Sequence, residues 1–161
     1  MSDLPTPPIP RAATVLILRP TASDDDVEVL LVRRSHRASF MANAYVFPGG
    51  RVDPEDARVA ETTDAAGAGR RCALRELREE VGLSFSDETA AAAALVYFAH
   101  WITPSAEPKR FDTEFFLWPL SPPPSATDAA AAIAPAVQVD GREVFDPLWI
   151  TPDAALSRYL D

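Results

Sequence analysis

The nine residues RELREEVGL, from Arg75 to Leu83, constrain the fold of this chain more than any other segment. At about 100° per residue, Glu76, Glu79 and Glu80 fall within roughly one third of the circumference of a helix. Ala73, Leu74, Leu77 and Val81 fall on the other side of that helix and are expected to form its buried face. The pattern predicts a helix over residues 70–81 with one buried face and one acidic face.

The acidic face has two interpretations. The first is a solvated helix surface, because Glu favours helices. Solvated faces usually alternate their charges at four-residue spacing, and here only Arg75 and Glu79 form such a pair, which leaves Glu76 and Glu80 uncompensated. The second is a site for a hard divalent cation such as Mg²⁺, which takes oxygen ligands and accepts incomplete protein coordination. The helix alone leaves both open.

A second motif lies upstream, where Tyr45 to Gly50 (YVFPGG) forms a short apolar strand broken by one Pro and two Gly. Paired glycines let a backbone approach a ligand closely. Together, Phe47 to Gly50 and residues 75–83 resemble the box motif of the Nudix family. That motif is Gly, five residues, Glu, seven residues, then Arg-Glu-U-x-Glu-Glu-x-Gly-U, with U aliphatic. The second half matches at every specified position.

The chain departs from this motif in two ways. Counted from Gly50, the first Glu of the motif falls on Asp56, so the carboxylate is kept but shortened. The interval to Arg75 is also longer by eleven residues. The additional segment, at about residues 57–71, lacks an apolar period and is predicted to be a surface loop. The roles of Asp56 and of this insertion stay open.

The resemblance implies an α/β fold, namely the α/β/α sandwich of the family with a mixed β-sheet between helices. Apolar runs predict strands at residues 12–18, 27–32, 93–102, 111–120 and 144–150. Thr151 and Pro152 predict the N-terminus of a last helix, and a short helix is predicted at 126–133. Residues 1–10 are predicted to form a flexible Pro-rich arm and residues 11–161 one domain.

The resemblance also implies a chemistry, which is Mg²⁺-dependent hydrolysis of a diphosphate linkage, with Mn²⁺ as a substitute metal. Glu79 and Glu80 would be the principal metal ligands, and Glu76 would be a ligand or would assist deprotonation of water. The backbone carbonyl of Gly49 would be a further ligand. Arg75 would orient a glutamate through its pair with Glu79. Family members differ in their general base, and the acidic candidates here are Asp112, Glu114, Asp128, Asp140 and Glu143.

A weaker motif bears on the substrate. Leu30 to Ser35 (LLVRRS), followed after eleven residues by Phe47 to Gly50, resembles an element of coenzyme A diphosphatases, although Ser39 and Asn43 replace its inner Arg and Gly. The residues expected to bind substrate are Arg33, Arg34, Ser35, Arg37 and Gly50. Arg side chains suit phosphate geometry, while the competing interpretation is a charged strand edge that resists aggregation.

The resemblance therefore implies that coenzyme A or an acyl-CoA is cleaved to 3′,5′-ADP and a phosphopantetheine product. The alternatives are another nucleotide diphosphate, such as NADH, ADP-ribose or a diadenosine polyphosphate, and a nucleotide-sensing module without turnover. The net charge of −9 argues against a nonspecific nucleic-acid partner. No apolar run is long enough to span a membrane and no signal peptide is recognisable, so a cytoplasmic protein is expected, with a homodimer as an open expectation.

Two further expectations concern single side chains. Cys72 is the only cysteine, which excludes an intrachain disulfide and suggests a small buried residue rather than a nucleophile. The isolated His36 and His100 are expected to be structural. The aromatic residues expected mainly in the core are Trp101, Phe115, Phe116 and Trp118.

Overall fold

The computed structural model describes residues 8–21, 23, 25–38, 41–58, 65–120 and 137–160. The elements in this part of the chain are β1 (Arg11–Pro20), β2 (Val27–Arg34), β3 (Tyr45–Val46), β4 (Gly49–Arg51), α1 (Pro54–Arg58), α2 (Ala65–Val81), α3 (Glu88–Ala94), β5 (Val96–Ile102), β6 (Asp112–Pro119), β7 (Val144–Ile150) and α4 (Pro152–Leu160). The helix predicted at 126–133 and most of the N-terminal arm lie outside the described residues.

The strands form one mixed sheet in the order β3-β2-β1-β6-β5, with β4 paired to β1 and β7 paired to β2. β1 runs parallel to β6 and antiparallel to both β2 and β4. The predicted fold class, a mixed sheet combined with helices, is confirmed. Since β2 and β4 share one edge of β1, the glycines of β4 lie beside the first half of that strand.

The core lies between the sheet and α2. Alternate residues of β1 point to opposite faces, and Ala13, Val15 and Ile17 are buried on the α2 side. They join Phe116 of β6 and Leu77 of α2 in one apolar cluster. Burial of each large side chain contributes about 1.5–3 kcal/mol, so this cluster fixes the height and rotation of α2 on the sheet.

Local signals located several elements correctly. The strands at 12–18, 27–32, 111–120 and 144–150 are confirmed, the first two as an antiparallel pair. Thr151 caps α4, since its Oγ1 accepts the backbone N–H of Ala154 at 3.3 Å. Gly82 ends α2 with φ of +70°, a conformation that glycine adopts without strain.

The prediction of a surface loop over residues 57–71 is wrong at both ends. Residues 57 and 58 belong to α1, and residues 65–71 form the first two turns of α2. The helix extends because its small residues fit closely against the sheet. A Cβ on Gly69 would lie 1.9 Å from Oε2 of Glu114, and the Arg70 guanidinium carbon lies 5.3 Å from the centre of the Phe116 ring. These contacts are distant in sequence, so residue periodicity does not reveal them.

The strand predicted at 93–102 begins later, because residues 88–94 form α3. Asp87 caps this helix by accepting the backbone N–H of Ala90 at 3.0 Å, and the alanine run that follows has high helix propensity.

The prediction of a mainly buried aromatic group is also wrong in part. Phe116 is fully buried, and Trp118 packs against the core. Trp101, however, is 71% exposed on the edge strand β5. Phe115 lines the pocket described below. No helix in the described part of the chain is long and apolar enough to cross a membrane.

Candidate active site

A pocket of about 710 Å³ opens on the face of the sheet that is turned away from the α2 core. The strand register explains its floor, since Ala12 of β1 pairs with Arg51 of β4 and Thr113 of β6, and Thr113 pairs in turn with Trp101 of β5. The next row on the same face runs through Gly49, Thr14, Phe115 and Ala99. Small side chains in β1 therefore leave room for a ligand between larger groups on both sides.

The acidic face of α2 divides into buried and exposed members. Glu76 and Glu80 are only 8% and 6% exposed, and both line the pocket. The side chain of Glu79 is 56% exposed and is not among the pocket residues. The third carboxylate in the pocket belongs instead to Glu143, which precedes β7. The structure thus brings together two of the three predicted glutamates.

Two glycines allow the buried glutamates to lie against the sheet. The backbone N–H of Gly49 donates to Oε2 of Glu80 at 2.9 Å, and Gly49 has φ of +154°. A Cβ at Gly49 would lie 2.3 Å from the backbone oxygen of Ala13, while a Cβ at Gly50 would lie 2.2 Å from Oε1 of Glu76. Gly49 therefore makes room for the backbone of β1, and Gly50 makes room for the carboxylate of Glu76.

Arg75 connects three carboxylates from two helices. Its guanidinium nitrogens lie 2.8 Å from Glu76, 3.0 Å from Glu79 and 3.0 Å from Asp56. The interpretation that Glu76 lacks a compensating charge is therefore wrong. Burial alone would lower the pKa of Arg75, but the hydrogen bond to Asp56 and the charge of Glu76 raise it, so the guanidinium stays charged.

Asp56 is the residue that aligns with the first Glu of the motif when counted from Gly50. It is buried in α1, and Oδ2 accepts the backbone N–H of Asp53 at 2.8 Å. Despite the insertion, this shortened carboxylate reaches Arg75 because α1 lies directly beside α2. The insertion therefore separates the two residues in sequence but not in space.

Burial disfavours the ionised forms of Glu76 and Glu80. It raises the pKa of Glu80 to about 8, an effect that the Gly49 N–H opposes and the charge of Glu76 reinforces. Burial also raises the pKa of Glu76, against the effect of Arg75. A cation near these two carboxyl groups would lower their pKa values, because an opposite charge favours the ionised form.

Cys72 fits its predicted structural role. It is fully buried, and burial together with the charges of Glu76 and Asp56 raises the pKa of its thiol to about 12. A thiol with so high a pKa is a poor nucleophile.

The residues expected to bind substrate are not all near the pocket. Arg34 and Gly50 line it, and Nε of Arg34 is buried without a hydrogen-bond partner in the described residues. Arg33 donates from Nε to Asp146 at 2.8 Å. Ser35 is buried, and its Oγ accepts the backbone N–H of Arg37 at 3.2 Å, which places both residues in the turn after β2.

The five candidates for a general base also separate. Glu114 faces α2, where it pairs with Arg11 at 3.1 Å. Asp112 pairs with His100. Asp140 accepts the backbone N–H groups of residues 142–144, and these bonds lower its pKa although burial opposes them. Asp128 lies outside the described residues. Glu143 is thus the candidate that lines the pocket.

Main-chain bonds hold the segment before Glu143 against the end of α2. The backbone N–H of Gln138 donates to the carbonyl of Val81 at 3.1 Å, and that of Asp140 donates to the carbonyl of Glu80 at 3.2 Å. These bonds satisfy carbonyl groups that a helix end leaves open. They also place Glu143 near Glu76 and Glu80, whose pKa values its charge raises.

Sequence analysis did not identify the opposite wall of the pocket. Lys109, Arg110 and Phe111 line it from the hairpin between β5 and β6. Two adjacent cations directly before a strand, in an acidic chain, were the available signal. Their position in the pocket depends on the pairing of β1 with β6, which local sequence does not determine.

The possible metal ligands at this site are all oxygen donors. In the pocket they are the carboxylates of Glu76, Glu80 and Glu143 and the carbonyl of Gly49, and the exposed Glu79 is the neighbouring carboxylate on α2. Such oxygen donors suit Mg²⁺ or Mn²⁺ better than softer metals. Among the described residues, no three acidic, His or Cys side chains are gathered closely enough to hold a metal ion as they stand. Glu76 accepts from Arg75 through Oε1, and its second oxygen, Oε2, is not part of that contact.

Comparison with known proteins gives a consistent assignment. The model of the NUDIX domain matches residues 8–160. Acyl-coenzyme A diphosphatase NUDT19 of Xenopus laevis is 24% identical over 220 aligned positions, covering 83% of this chain and 55% of that protein. Putative nudix hydrolase 7 of Caenorhabditis elegans is 27% identical over 172 positions, covering 88% and 52%. The chain thus spans about half the length of these curated relatives.

A solved structure is similar over most of its length. The crystal structure of a NUDIX hydrolase from Alicyclobacillus acidocaldarius superposes with a TM-score of 0.69 at 26% identity, covering 95% of this chain and 83% of that one.

Proposed function

Because the chain belongs to the Nudix family of hydrolases, which act on phosphorus-containing anhydrides, we propose that it cleaves the diphosphate linkage of a nucleotide derivative with a bound divalent cation. The leading substrate is coenzyme A or an acyl-CoA, which gives 3′,5′-ADP and (acyl-)phosphopantetheine. The observation that carries the proposal is the pair of buried carboxylates, Glu76 and Glu80, held beside Gly49 and Gly50 at the wall of a pocket.

The proposed cation is Mg²⁺, with Mn²⁺ as a substitute, held by Gly49, Glu76, Glu79 and Glu80. When bound, it would neutralise phosphate oxygens and lower the pKa of a bound water. Burial of Glu76 and Glu80 supports this assignment, because it raises the pKa of both carboxyl groups and a nearby cation would favour their ionised forms. The exposed Glu79 would reach the same cation from the solvent side of α2.

Arg75 and Asp56 would orient these ligands. Arg75 contacts Glu76 and Glu79, and Asp56 fixes the guanidinium from α1. Such supporting contacts commonly change metal affinity or activity by about 10–100-fold when removed.

Glu143 would accept the proton of the attacking water. Its position in the pocket supports this role over Glu114, Asp112 and Asp140, which have other partners. Replacement of a general base typically slows a reaction by about 10²–10⁴-fold. Glu143→Gln should therefore reduce kcat strongly, whereas Glu114→Gln, on the other face of the sheet, should not.

Arg34 and Gly50 would contact the substrate phosphates, since both line the pocket beside the glutamates. Arg33, Ser35 and Arg37 make contacts elsewhere, and we propose that they support the strand and turn that carry Arg34. The name of the Xenopus laevis relative, an acyl-coenzyme A diphosphatase, supports the choice of substrate class.

The test is product analysis by mass spectrometry over a substrate panel with Mg²⁺ or a chelator. The panel contains coenzyme A, acetyl-CoA, NADH, ADP-ribose and a diadenosine polyphosphate. We expect metal-dependent release of 3′,5′-ADP, and a loss of at least about 100-fold in Glu80→Gln with its circular dichroism unchanged. Glu88→Gln, which alters an exposed ion pair with Arg78, is the matched control.

Two results would overturn parts of the proposal. Cleavage of another panel member, but not of the coenzyme A compounds, would keep the hydrolase and reject the substrate. A folded protein that binds these nucleotides without cleaving any of them would favour a nucleotide-sensing module.

A further inference from the structure

The hairpin between β5 and β6 brings Lys109, Arg110 and Phe111 to one wall of the pocket. We propose that Lys109 and Arg110 bind a phosphate monoester on the nucleoside part of the substrate, and that neighbouring aromatic side chains hold the base. This inference rests on the proposed function for the placement of the diphosphate at the glutamates. It concerns a different group of the ligand and the residues that select it.

The glutamate end and the hairpin end of the pocket are separated by two strand spacings of the sheet. β4 carries the glycines beside the glutamates, and β6 begins directly after the hairpin, with β1 between them. Neighbouring strands lie about 4.8 Å apart, so the two regions are about 10 Å apart. That separation exceeds the length of a diphosphate group. A ligand whose diphosphate lies at the glutamates can therefore place a second anionic group at the hairpin.

The hairpin is held in one geometry before any ligand binds. Thr103 donates its backbone N–H to the carbonyl of Phe111 at 2.9 Å, and its Oγ1 accepts the N–H of Phe111 at 3.0 Å. Nε of Arg110 donates to the carbonyl of Thr103 at 2.9 Å. This contact uses one of the five N–H donors of the guanidinium, so the group is anchored while it lines the pocket.

The charge of the pocket differs from that of the whole protein. Four cationic residues line it, Arg34, Arg51, Lys109 and Arg110, against three carboxylates, although the net charge of the chain is −9. The cations of the hairpin are separated from the glutamates by β1. Clustered Lys and Arg side chains in a concave site attract phosphate.

Aromatic side chains next to these cations suit a planar base. Phe111 and Phe115 line the pocket, and the ring of Trp101 lies 5.6 Å from that of Phe115. The register places Trp101 beside Thr113, on the pocket face of the sheet. A base can stack on such rings, which would also cover a tryptophan that is 71% exposed.

The test exploits Lys109, which is the only lysine in the sequence. Acetylation of its amine, followed by mass spectrometry, reports directly on the hairpin and does not require turnover. The ligands are 3′,5′-ADP, AMP and phosphopantetheine, each in the presence of a chelator. AMP has the same base and 5′-phosphate as 3′,5′-ADP but lacks the 3′-phosphate.

We expect 3′,5′-ADP to protect Lys109 at a concentration about tenfold or more below that of AMP. The reason is that the loss of one hydrogen bond between charged groups raises Kd by about this factor. Arg110→Gln should remove most of this difference, whereas Arg158→Gln on α4 should retain it. Equal protection by AMP, protection by phosphopantetheine instead, or no protection by any ligand would overturn the proposal.

A second measurement separates this inference from the proposed function. With Mg²⁺, the ratio of kcat/KM for coenzyme A to that for 3′-dephospho-CoA should fall about tenfold in Arg110→Gln. An unchanged ratio would contradict the subsite and leave the hydrolase intact. Selective protection of Lys109 in a protein that cleaves neither compound would support the subsite and reject the proposed function.

Discussion

The two ends of the pocket, at α2 and at the β5–β6 hairpin, differ in the exposure of their side chains. A charged group is buried near the first end, and an apolar group is exposed near the second. At the α2 end a carboxylate, Glu80, is 6% exposed, and at the hairpin end an indole, that of Trp101, is 71% exposed. Burial of an ionisable group is unfavourable unless partners compensate it, and a large exposed apolar group commonly marks a binding surface. The first end therefore presents buried charge, and the second presents an exposed aromatic surface.

The ends also differ in the contacts of their side chains. Glu76 accepts from Arg75 at 2.8 Å, and Arg75 also donates to the carbonyl of Arg51 in β4. Glu80 accepts the backbone N–H of Gly49. Trp101 lies on an edge strand and contacts Phe115. We therefore expect changes at the α2 end to abolish a function, and changes at the hairpin end to alter which ligand is preferred.

The largest effect should come from the two glycines of β4. Gly49→Ala places a Cβ against backbone atoms of Ala13 and Thr14, and the strain and overpacking should lower the free energy of unfolding by about 2–5 kcal/mol. Gly50→Ala displaces only the carboxylate of Glu76, so the fold should persist while activity falls. Thermal melts and turnover measured on both variants compare them directly. Equal destabilisation by the two changes would contradict this distinction.

Asp56→Asn should reduce kcat/KM by about 10–100-fold without a comparable loss of stability. The amide keeps the size of the side chain but removes the charge that fixes Arg75 at 3.0 Å. Steady-state kinetics over a range of Mg²⁺ concentrations would test this, with Asp53→Asn, a more distant partner at 3.8 Å, as the control. Similar kinetics for both variants would show that α1 has no share in positioning Arg75.

The stability of the metal-free protein should depend on pH through Glu80. Its pKa is raised from 4.5 to about 8 in the folded state, so its contribution to stability is fully present below pH 4.5 and is lost as pH rises through 8. Glu80→Gln lacks this loss. The difference in Tm between variant and wild type, measured with a chelator, should therefore grow in favour of the variant between pH 5 and 8. Parallel curves would refute the effect of burial.

The smallest effect should follow Trp101→Ala. An aromatic contact contributes about 0.5–1.5 kcal/mol, so KM for the nucleotide should rise by up to about tenfold while kcat stays within a factor of two or so. A comparable fall in kcat would show that the hairpin end takes part in chemistry and would remove the contrast between the two ends.

The same contrast describes what could be predicted from the sequence. Residues 70–81 of α2 and the cap at Thr151 follow from local spacing and residue chemistry, and both were located correctly. The first turns of α2 were missed because their helix depends on Gly69 fitting beneath Glu114. The hairpin wall was missed because Lys109 and Arg110 reach the pocket only through the register of β1 with β6.

The geometry explains why one ambiguity arose. Asp56 and Arg75 are nineteen positions apart, and the intervening insertion obscures a pair that is in direct contact. Spacing in the sequence gives only the number of residues between Asp56 and Arg75. Their contact in the structure depends on how α1 packs beside α2.

The bonds from Gln138 and Asp140 to the last carbonyls of α2 have a consequence for how the site tolerates sequence change. They are main-chain bonds, so replacement of either side chain leaves them available. A residue inserted between Asp140 and Glu143 would instead move the third carboxylate away from the other two. Natural variants of this protein should therefore keep the length of this short segment constant and retain Asp140, whose side chain accepts the backbone N–H groups of residues 142–144.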